Sequence, residues 1–124
     1  MERFNLWLEG FAAAWRLGDA DAVADLFAPG ARYQDSPFSD PRVGIDAIRD
    51  YWSQGVRHSR GDAEFEVDAV AMGADAGVAH WRGEFTSEPA EHRVQLDGIL
   101  VATLDADGRC TDFREWWHRL EDHG

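Results

Sequence analysis

The sequence has little of what a cross-linked or membrane-spanning protein requires. Of the 124 residues one is cysteine, Cys110, so an internal disulfide framework is excluded and a small, half-buried apolar role is expected for it. The longest apolar runs, such as Gly98 to Leu104, are far too short to cross a bilayer. The N-terminal segment carries Glu2 and Glu9 and has no region like a cleavage site, so it does not resemble a signal peptide. We therefore expect a cytoplasmic protein.

Positive charge is also scarce. The chain has 12 basic against 24 acidic side chains, a formal net charge of −12. Such a chain repels the phosphate backbone of nucleic acids and the surface of anionic membranes, so neither is expected as a partner. The charge instead predicts a well-solvated surface.

Motifs for common cofactors are missing as well. The histidines at 58, 80, 92, 118 and 123 show no metal-site spacing, neither His-x-His nor His-Glu-x-x-His. The sequence has no glycine-rich phosphate loop, no Gly-x-Ser-x-Gly elbow and no cysteine pair. We expect no metal and no other cofactor.

Helical periodicity dominates the first part of the chain. Apolar residues between Phe4 and Trp15 recur at spacings of three and four, which predicts an amphipathic helix that Gly18 ends. Asp19 is a suitable cap for a second helix over residues 20–27, which Pro29-Gly30 would end.

After residue 61 the pattern changes from helical to strand-like. Turn sequences separate the segments, which predicts hairpins and a mostly antiparallel sheet. Strands of about ten to fifteen residues exceed the usual length and are expected to curl, helped by Gly83 and Gly98. The elements expected after the second helix are a short strand, a third helix and four long strands: 31–35, about 45–56, 63–72, 77–87, 91–105 and 109–119.

This order of elements predicts one α+β domain over residues 1–124, with N-terminal helices packed on a strongly curved sheet that leaves a cavity at its open end. It resembles the nuclear-transport-factor-2-like superfamily, which includes SnoaL-like polyketide cyclases and ketosteroid isomerases. The resemblance covers nearly the whole chain and implies a cone-like α+β barrel of the cystatin-like type. The motifs that carry it are Trp15-Arg16-Leu17-Gly18-Asp19, Tyr33-Gln34-Asp35-Ser36-Pro37, Gly44-Ile45-Asp46-Ala47-Ile48 and Phe113-Arg114-Glu115-Trp116-Trp117-His118.

The resemblance implies two catalytic acids. Asp35 lies where ketosteroid isomerases place a proton-shuttling aspartate, and Asp97 lies in the strand where isomerases and cyclases carry a second pocket acid. The oxyanion tyrosine of those isomerases has no counterpart on the first helix, where Trp7, Phe11 and Trp15 stand. A faithful steroid isomerase is therefore not expected.

The residues themselves support an acid-lined pocket, but they do not show which face of each strand points into it. Alternation places Asp97 on one face with Ile99, and Glu115 on one face with Trp117, yet a single bulge inverts which face is inward. Acids that point inward among aromatic residues would have raised pKa values suited to proton transfer beside a carbonyl. Turn formation by Asp35, a bulge at Asp97 and surface pairing of Glu115 remain alternatives. The expected pocket residues are Trp15, Tyr33, Trp52, Trp81, Glu115 and Trp117.

Adjacent tryptophans predict a partner. Trp116 and Trp117 are neighbours in a strand, so they face opposite ways and one of them leaves the helix-facing side. An exposed tryptophan on a sheet indicates a covering chain, and we expect a homodimer through the outer sheet face.

Together these features predict a cofactor-free isomerase, cyclase or dehydratase that acts on an apolar, carbonyl-bearing small molecule. Asp35 or Asp97 would be the acid or base and Tyr33 a hydrogen-bond donor. Two alternatives stay open: a protein that binds an apolar molecule without chemistry, and a dimerisation domain with a filled core.

Overall fold

The computed structural model describes residues 2–89 and 91–122, and this part of the chain forms three helices and six strands. In chain order they are α1 (Glu2–Leu17), α2 (Ala20–Ala24), β1 (Phe27–Gln34), β2 (Arg42–Val43), α3 (Ile45–Arg57), β3 (Glu64–Met72), β4 (Ala76–Ser87), β5 (His92–Leu104) and β6 (Cys110–Asp122). None of the described helices has the length and apolar character needed to span a bilayer.

The six strands form one open sheet in the order β2-β1-β6-β5-β4-β3. The long strands β3 to β6 are a meander of antiparallel pairs, and β2 pairs antiparallel with β1. The pairing of β1 with β6 is parallel, so the sheet is mixed. The prediction of an α+β fold with N-terminal helices on a mostly antiparallel sheet is confirmed.

The predicted amphipathic helix forms and fills the centre of the core. Phe4, Trp7 and Phe11, on the buried side of α1, are each at most 5% exposed. The ring of Phe11 packs edge-on against Phe65 of β3 at 5.7 Å. Gly18 ends the helix with a φ of 64°, a left-handed conformation that glycine adopts without steric cost.

The second helix is shorter than predicted. Asp19 caps it as expected, but the helix ends at Ala24 and Phe27 already begins β1. The reason lies in the sheet: the amide of Cys110, at the start of β6, donates a hydrogen bond of 2.8 Å to the carbonyl of Leu26. The chain is therefore drawn into the strand ladder, and the following proline–glycine pair interrupts a strand instead of ending a helix.

The alternation of β5 and β6 decides which side chains reach the helices. In β5 the buried residues from Val94 to Leu104 are all even-numbered, so Asp97 faces outward. In β6 Phe113 and Glu115 are buried, and Trp116 is 44% exposed on the outer face. Trp116 lies directly opposite Ile99, which is 38% exposed. The homodimer expected through this outer face stays a prediction.

Gly98 allows β5 and β6 to lie close together beside the pocket. A Cβ atom at this position would lie 2.5 Å from the backbone oxygen of Trp116 and 2.8 Å from the Cβ of Trp117. Because backbone cannot move aside cheaply, we expect Gly98→Ala to lower the free energy of unfolding by about 1–3 kcal/mol.

Gly55 of α3 offers a matched control, because a Cβ there would meet nothing within 4 Å. We expect Gly55→Ala to raise the free energy of unfolding by about 0.5–1 kcal/mol, as in other helix interiors. Urea unfolding measures both variants, and equal stability of Gly98→Ala and the wild type would contradict the prediction.

Candidate active site

Beneath the inner face of the sheet lies a pocket of about 480 Å3, within the size range of small-molecule sites. A larger cavity of about 670 Å3 lies near the start of α1, beside the turn between β3 and β4, and none of the predicted site residues lines it. All six residues expected to line a pocket lie on the wall of the smaller cavity: Trp15, Tyr33, Trp52, Trp81, Glu115 and Trp117.

The aromatic wall is ordered by stacking and by hydrogen bonds. The ring of Trp15 stacks on Phe65 with centroids 4.8 Å apart, and the absence of a side chain at Gly83 leaves room for this indole. The indole nitrogen of Trp81 is buried and has no hydrogen-bond partner among the described residues. An acceptor atom on a bound molecule could satisfy it.

The first polar group of the pocket joins Glu115 to Tyr33 across the neighbouring strands β6 and β1. The Tyr33 hydroxyl donates to Oε1 of Glu115 at 3.4 Å and accepts from Nε1 of Trp52 at 3.2 Å. The Glu115 residue is 8% exposed. Burial and the nearby Asp35 carboxylate raise the pKa of Glu115 to about 8, against a smaller opposing effect of the Tyr33 hydrogen bond. At neutral pH Glu115 is therefore mostly a neutral acid with a proton to donate.

The second polar group surrounds Asp35, which follows β1. Its Oδ2 accepts from the Tyr51 hydroxyl at 2.5 Å, and its Oδ1 accepts from Nη1 of Arg42 at 2.9 Å. The Arg42 guanidinium also lies over the Tyr51 ring, 3.7 Å from its centroid. Tyr51 and Arg42 line the pocket whereas Asp35 does not. Asp35 can therefore act on a bound molecule only through these two side chains. Burial and the bond to Asp35 raise the pKa of Tyr51 well above its ordinary value.

Asp97 does not join this cluster, which corrects the expectation that it is a pocket acid. Its side chain is 59% exposed and lies 2.8 Å from Nε2 of His80, its neighbour on the outer face. The physical reason is strand parity, because Asp97 occupies an outward position of β5. The inward residue opposite Glu115 is Leu100, which is fully buried.

Tyr51 and Arg42 are the site residues that the sequence analysis missed. A signal for Tyr51 existed, because it lies three residues after the buried Ile48 and so shares its helix face. Arg42 follows the loop after β1 and belongs to the two-residue strand β2, where no periodicity marks it. As to metals, no three His, Cys, Asp or Glu side chains within residues 2–89 and 91–122 are placed to share an ion.

The raised pKa of Glu115 predicts a pH-dependent stability. Its pKa is about 8 in the folded protein, against an ordinary value of 4.5, so between these values the folded state holds a proton that the unfolded chain has lost. The free energy of unfolding that this group contributes is fully present below the ordinary pKa of 4.5 and is lost as the pH rises through the folded-state pKa of about 8. The total change is on the order of 5 kcal/mol.

Glu115→Gln removes this titration. We therefore expect the variant to lose less stability than the wild type between about pH 6 and pH 9, as measured by urea unfolding across that range. Parallel pH profiles for the two proteins would show that Glu115 does not titrate in this window.

Comparison with known proteins adds to this geometry. A family model described as a SnoaL-like domain matches residues 8–113. The chain belongs to the SnoaL-like domain family. The predicted membership of the nuclear-transport-factor-2-like superfamily is thereby confirmed.

The chain is also similar to two named proteins. It is 29% identical over 100 residues to a protein named steroid Delta-isomerase from Nocardioides simplex, which covers 81% of this chain and 77% of that protein. Its structure is similar to that of SalBIII, described as an epoxide hydrolase/cyclase-like enzyme in pyran ring formation in the polyether salinomycin. That match has a TM-score of 0.81 and 23% identity and covers 94% of this chain and 91% of SalBIII. The second likeness shows the shared cone-like α+β fold.

Proposed function

We propose that this SnoaL-like protein is a cofactor-free isomerase that moves a proton within an apolar, carbonyl-bearing small molecule. The observation that carries the proposal is a pair of carboxyl groups in unlike surroundings: Glu115 lines the pocket, and Asp35 is hydrogen-bonded to two residues that line it. Glu115 is buried and mostly neutral at pH 7, whereas Asp35 is paired with the Arg42 guanidinium. A neutral acid and an ion-paired carboxylate supply a proton donor and a proton acceptor at once.

The roles follow from the hydrogen bonds. Glu115 accepts from Tyr33 on Oε1, so its own acidic proton is available to the carbonyl oxygen of a substrate. That bond stabilises the negative charge that develops on the oxygen as a neighbouring C–H bond breaks.

The proton leaves carbon through Tyr51. The Tyr51 oxygen accepts the substrate proton while the Tyr51 hydroxyl proton passes to Oδ2 of Asp35, along the hydrogen bond of 2.5 Å. Reversal of these two transfers returns a proton to a different carbon of the substrate, and the enzyme is regenerated. The chain has no lysine, so a lysine Schiff base has no part in this chemistry.

The named relative makes a steroid a suitable probe. The sequence analysis disfavoured a faithful steroid isomerase, because α1 lacks a tyrosine. The proposal takes its hydroxyl groups from other elements, Tyr33 of β1 and Tyr51 of α3. Both belong to the polar groups of the pocket wall.

The test is conversion of 5-androstene-3,17-dione to its conjugated 4-ene isomer, followed by the ultraviolet absorbance of the product. We expect turnover by the wild type and a decrease of about 10²–10⁴-fold in kcat for Asp35→Asn. Asp97→Asn is the matched control, because it makes the same change on the outer face and should leave kcat unchanged. No acceleration by the wild type over buffer, at steroid concentrations that saturate binding, would count against the proposal.

A ligand-binding protein without catalysis is the second candidate. One observation favours it: both oxygens of Asp35 already accept hydrogen bonds, from Arg42 and Tyr51, so the carboxylate is engaged within the protein. In that case the steroid would raise the melting temperature while no 4-ene product forms.

A further inference from the structure

The pocket wall is basic although the chain as a whole is acidic. Acidic residues outnumber basic ones by 24 to 12 in the sequence. Among the described residues that line the pocket, one is acidic, the buried Glu115, while the basic ones are four arginines and a histidine: Arg16, Arg42, His58, Arg60 and Arg119. Because basic residues outnumber acidic ones on this wall and the reverse holds for the whole chain, the pocket favours a negatively charged ligand over a positively charged one.

Among the four arginines of the pocket wall, Arg16 is the one that has no carboxylate partner among the described residues. Its Nε and Nη2 donate to the backbone carbonyl of Phe65 at 3.1 and 2.8 Å, which holds the guanidinium in place. Within residues 2–89 and 91–122 no carboxylate oxygen lies within the 4.0 Å of an ion pair with it. The other three arginines of the wall each have a carboxylate partner. Arg16 is exposed, and a guanidinium offers donors only, so its charge is available to an anionic group of a ligand.

Arg119 of β6 lies at the same level of the sheet as Phe65, because Phe65 pairs with Gly83, Gly83 with Leu96 and Leu96 with Arg119. Glu115, Trp117 and Arg119 are successive inward residues of the strand and all line the pocket. At about 3.3 Å per residue the Cα atoms of Glu115 and Arg119 are about 13 Å apart, with the Trp117 indole between them. The pocket thus has a proton-donating end at Glu115 and, beyond the aromatic residues, an end where Arg16 and the ion-paired Arg119 lie.

We propose that the substrate carries an anionic oxygen group, such as a carboxylate, at the end opposite to its carbonyl, and that Arg16 binds this group with support from Arg119. The position of the carbonyl rests on the proposed function. The anion site rests on the arginines alone. The substrate class is therefore an apolar keto acid of extended shape, in preference to a neutral steroid or terpene.

The test uses two fluorescent probes of nearly the same shape, 8-anilinonaphthalene-1-sulfonate and the uncharged N-phenyl-1-naphthylamine. We expect the sulfonate to bind the wild type at least about tenfold more tightly, the size of a hydrogen bond to a charged group. Arg16→Gln should remove most of this difference by weakening the sulfonate alone. Arg114→Gln is the matched control, because it deletes the same charge from the outer face of β6.

Three results would overturn the inference: equal affinity for the two dyes, equal effects of Arg16→Gln and Arg114→Gln, or no binding of either dye. If Arg16→Gln unfolds, Arg119→Gln tests the same point, with an expected smaller loss of sulfonate affinity. Turnover of the steroid probe separates the two proposals. Turnover without dye discrimination overturns the anion site alone, whereas discrimination without turnover of either the steroid or an unsaturated keto acid of similar length overturns the isomerase alone.

Discussion

Glu115→Gln is expected to lower kcat for the steroid probe by about 10²–10⁴-fold, with a much smaller effect on KM. Glutamine has nearly the shape of the neutral glutamic acid and can still accept the Tyr33 hydrogen bond. Its amide cannot transfer a proton to the carbonyl oxygen, so the interaction that grows in the transition state is lost while the ground-state contacts remain.

Steady-state kinetics at pH 7 measure this prediction. Because the unfolded wild-type chain ionises Glu115 at that pH while the folded protein keeps it mostly neutral, the variant should be at least as stable as the wild type, which unfolding in urea checks on the same samples. Asp97→Asn again serves as the control with an exposed acid. A kcat within about threefold of the wild type would remove Glu115 from the mechanism, since general acid catalysis contributes far more.

Phe113→Ala is expected to lower the free energy of unfolding by about 3–5 kcal/mol. Phe113 is fully buried, and its ring stacks on Tyr33 with centroids 4.6 Å apart. It also packs against Trp7 and Phe11 of α1, at 5.9 and 5.5 Å. Removal of the ring would leave a cavity between α1 and the sheet that these rigid neighbours can fill only in part.

Phe38 supplies a control with the same substitution. Its side chain lies in the loop after β1 and is 98% exposed, so Phe38→Ala should change stability by no more than about 0.5 kcal/mol. Denaturant unfolding compares the two variants. A loss below about 1 kcal/mol for Phe113→Ala would mean that the core behind Tyr33 collapses freely. In that case Tyr33 and Glu115 are not held as rigidly as the proposed mechanism requires.

The stacking of Phe113 on Tyr33 connects stability to the site. Tyr33 receives its position from this ring and from the indole of Trp52, and it in turn holds Glu115. The aromatic core therefore holds Tyr33, and through it Glu115, in position.

The elements with a clear local cause could be predicted from the sequence. The apolar stripe of α1, its stop at Gly18 and the cap at Asp19 are all local patterns, and all are present in the structure. The aromatic wall could also be predicted, because large apolar side chains are mostly buried and the helix-facing side of the sheet is where they can be buried. Chain order and turn chemistry were enough to indicate the antiparallel meander.

The choice between two acids was decided by tertiary structure. Asp97 and Glu115 both stand in long strands, and alternation alone cannot say which face of a strand is buried. The pairing of Leu100 with Glu115 sets that choice, because one shared register turns Glu115 inward and Asp97 outward. Desolvation, and with it the raised pKa of Glu115, follows from that placement.

The same reason accounts for the residues that were missed and for the shortened helix. Arg42 and Tyr51 reach Asp35 from a short edge strand and from α3, and no local pattern encodes a meeting of three separate segments. The end of α2 depends on the parallel pairing of Phe27 with Cys110, more than eighty residues away in the chain, and on the hydrogen bond from the Cys110 amide to the Leu26 carbonyl. Local physics therefore determined the helices, the strands and the aromatic lining of this protein. Long-range strand pairing alone determined which carboxyl groups are buried, because a carboxyl group is buried only if its side of the sheet is covered by other parts of the chain.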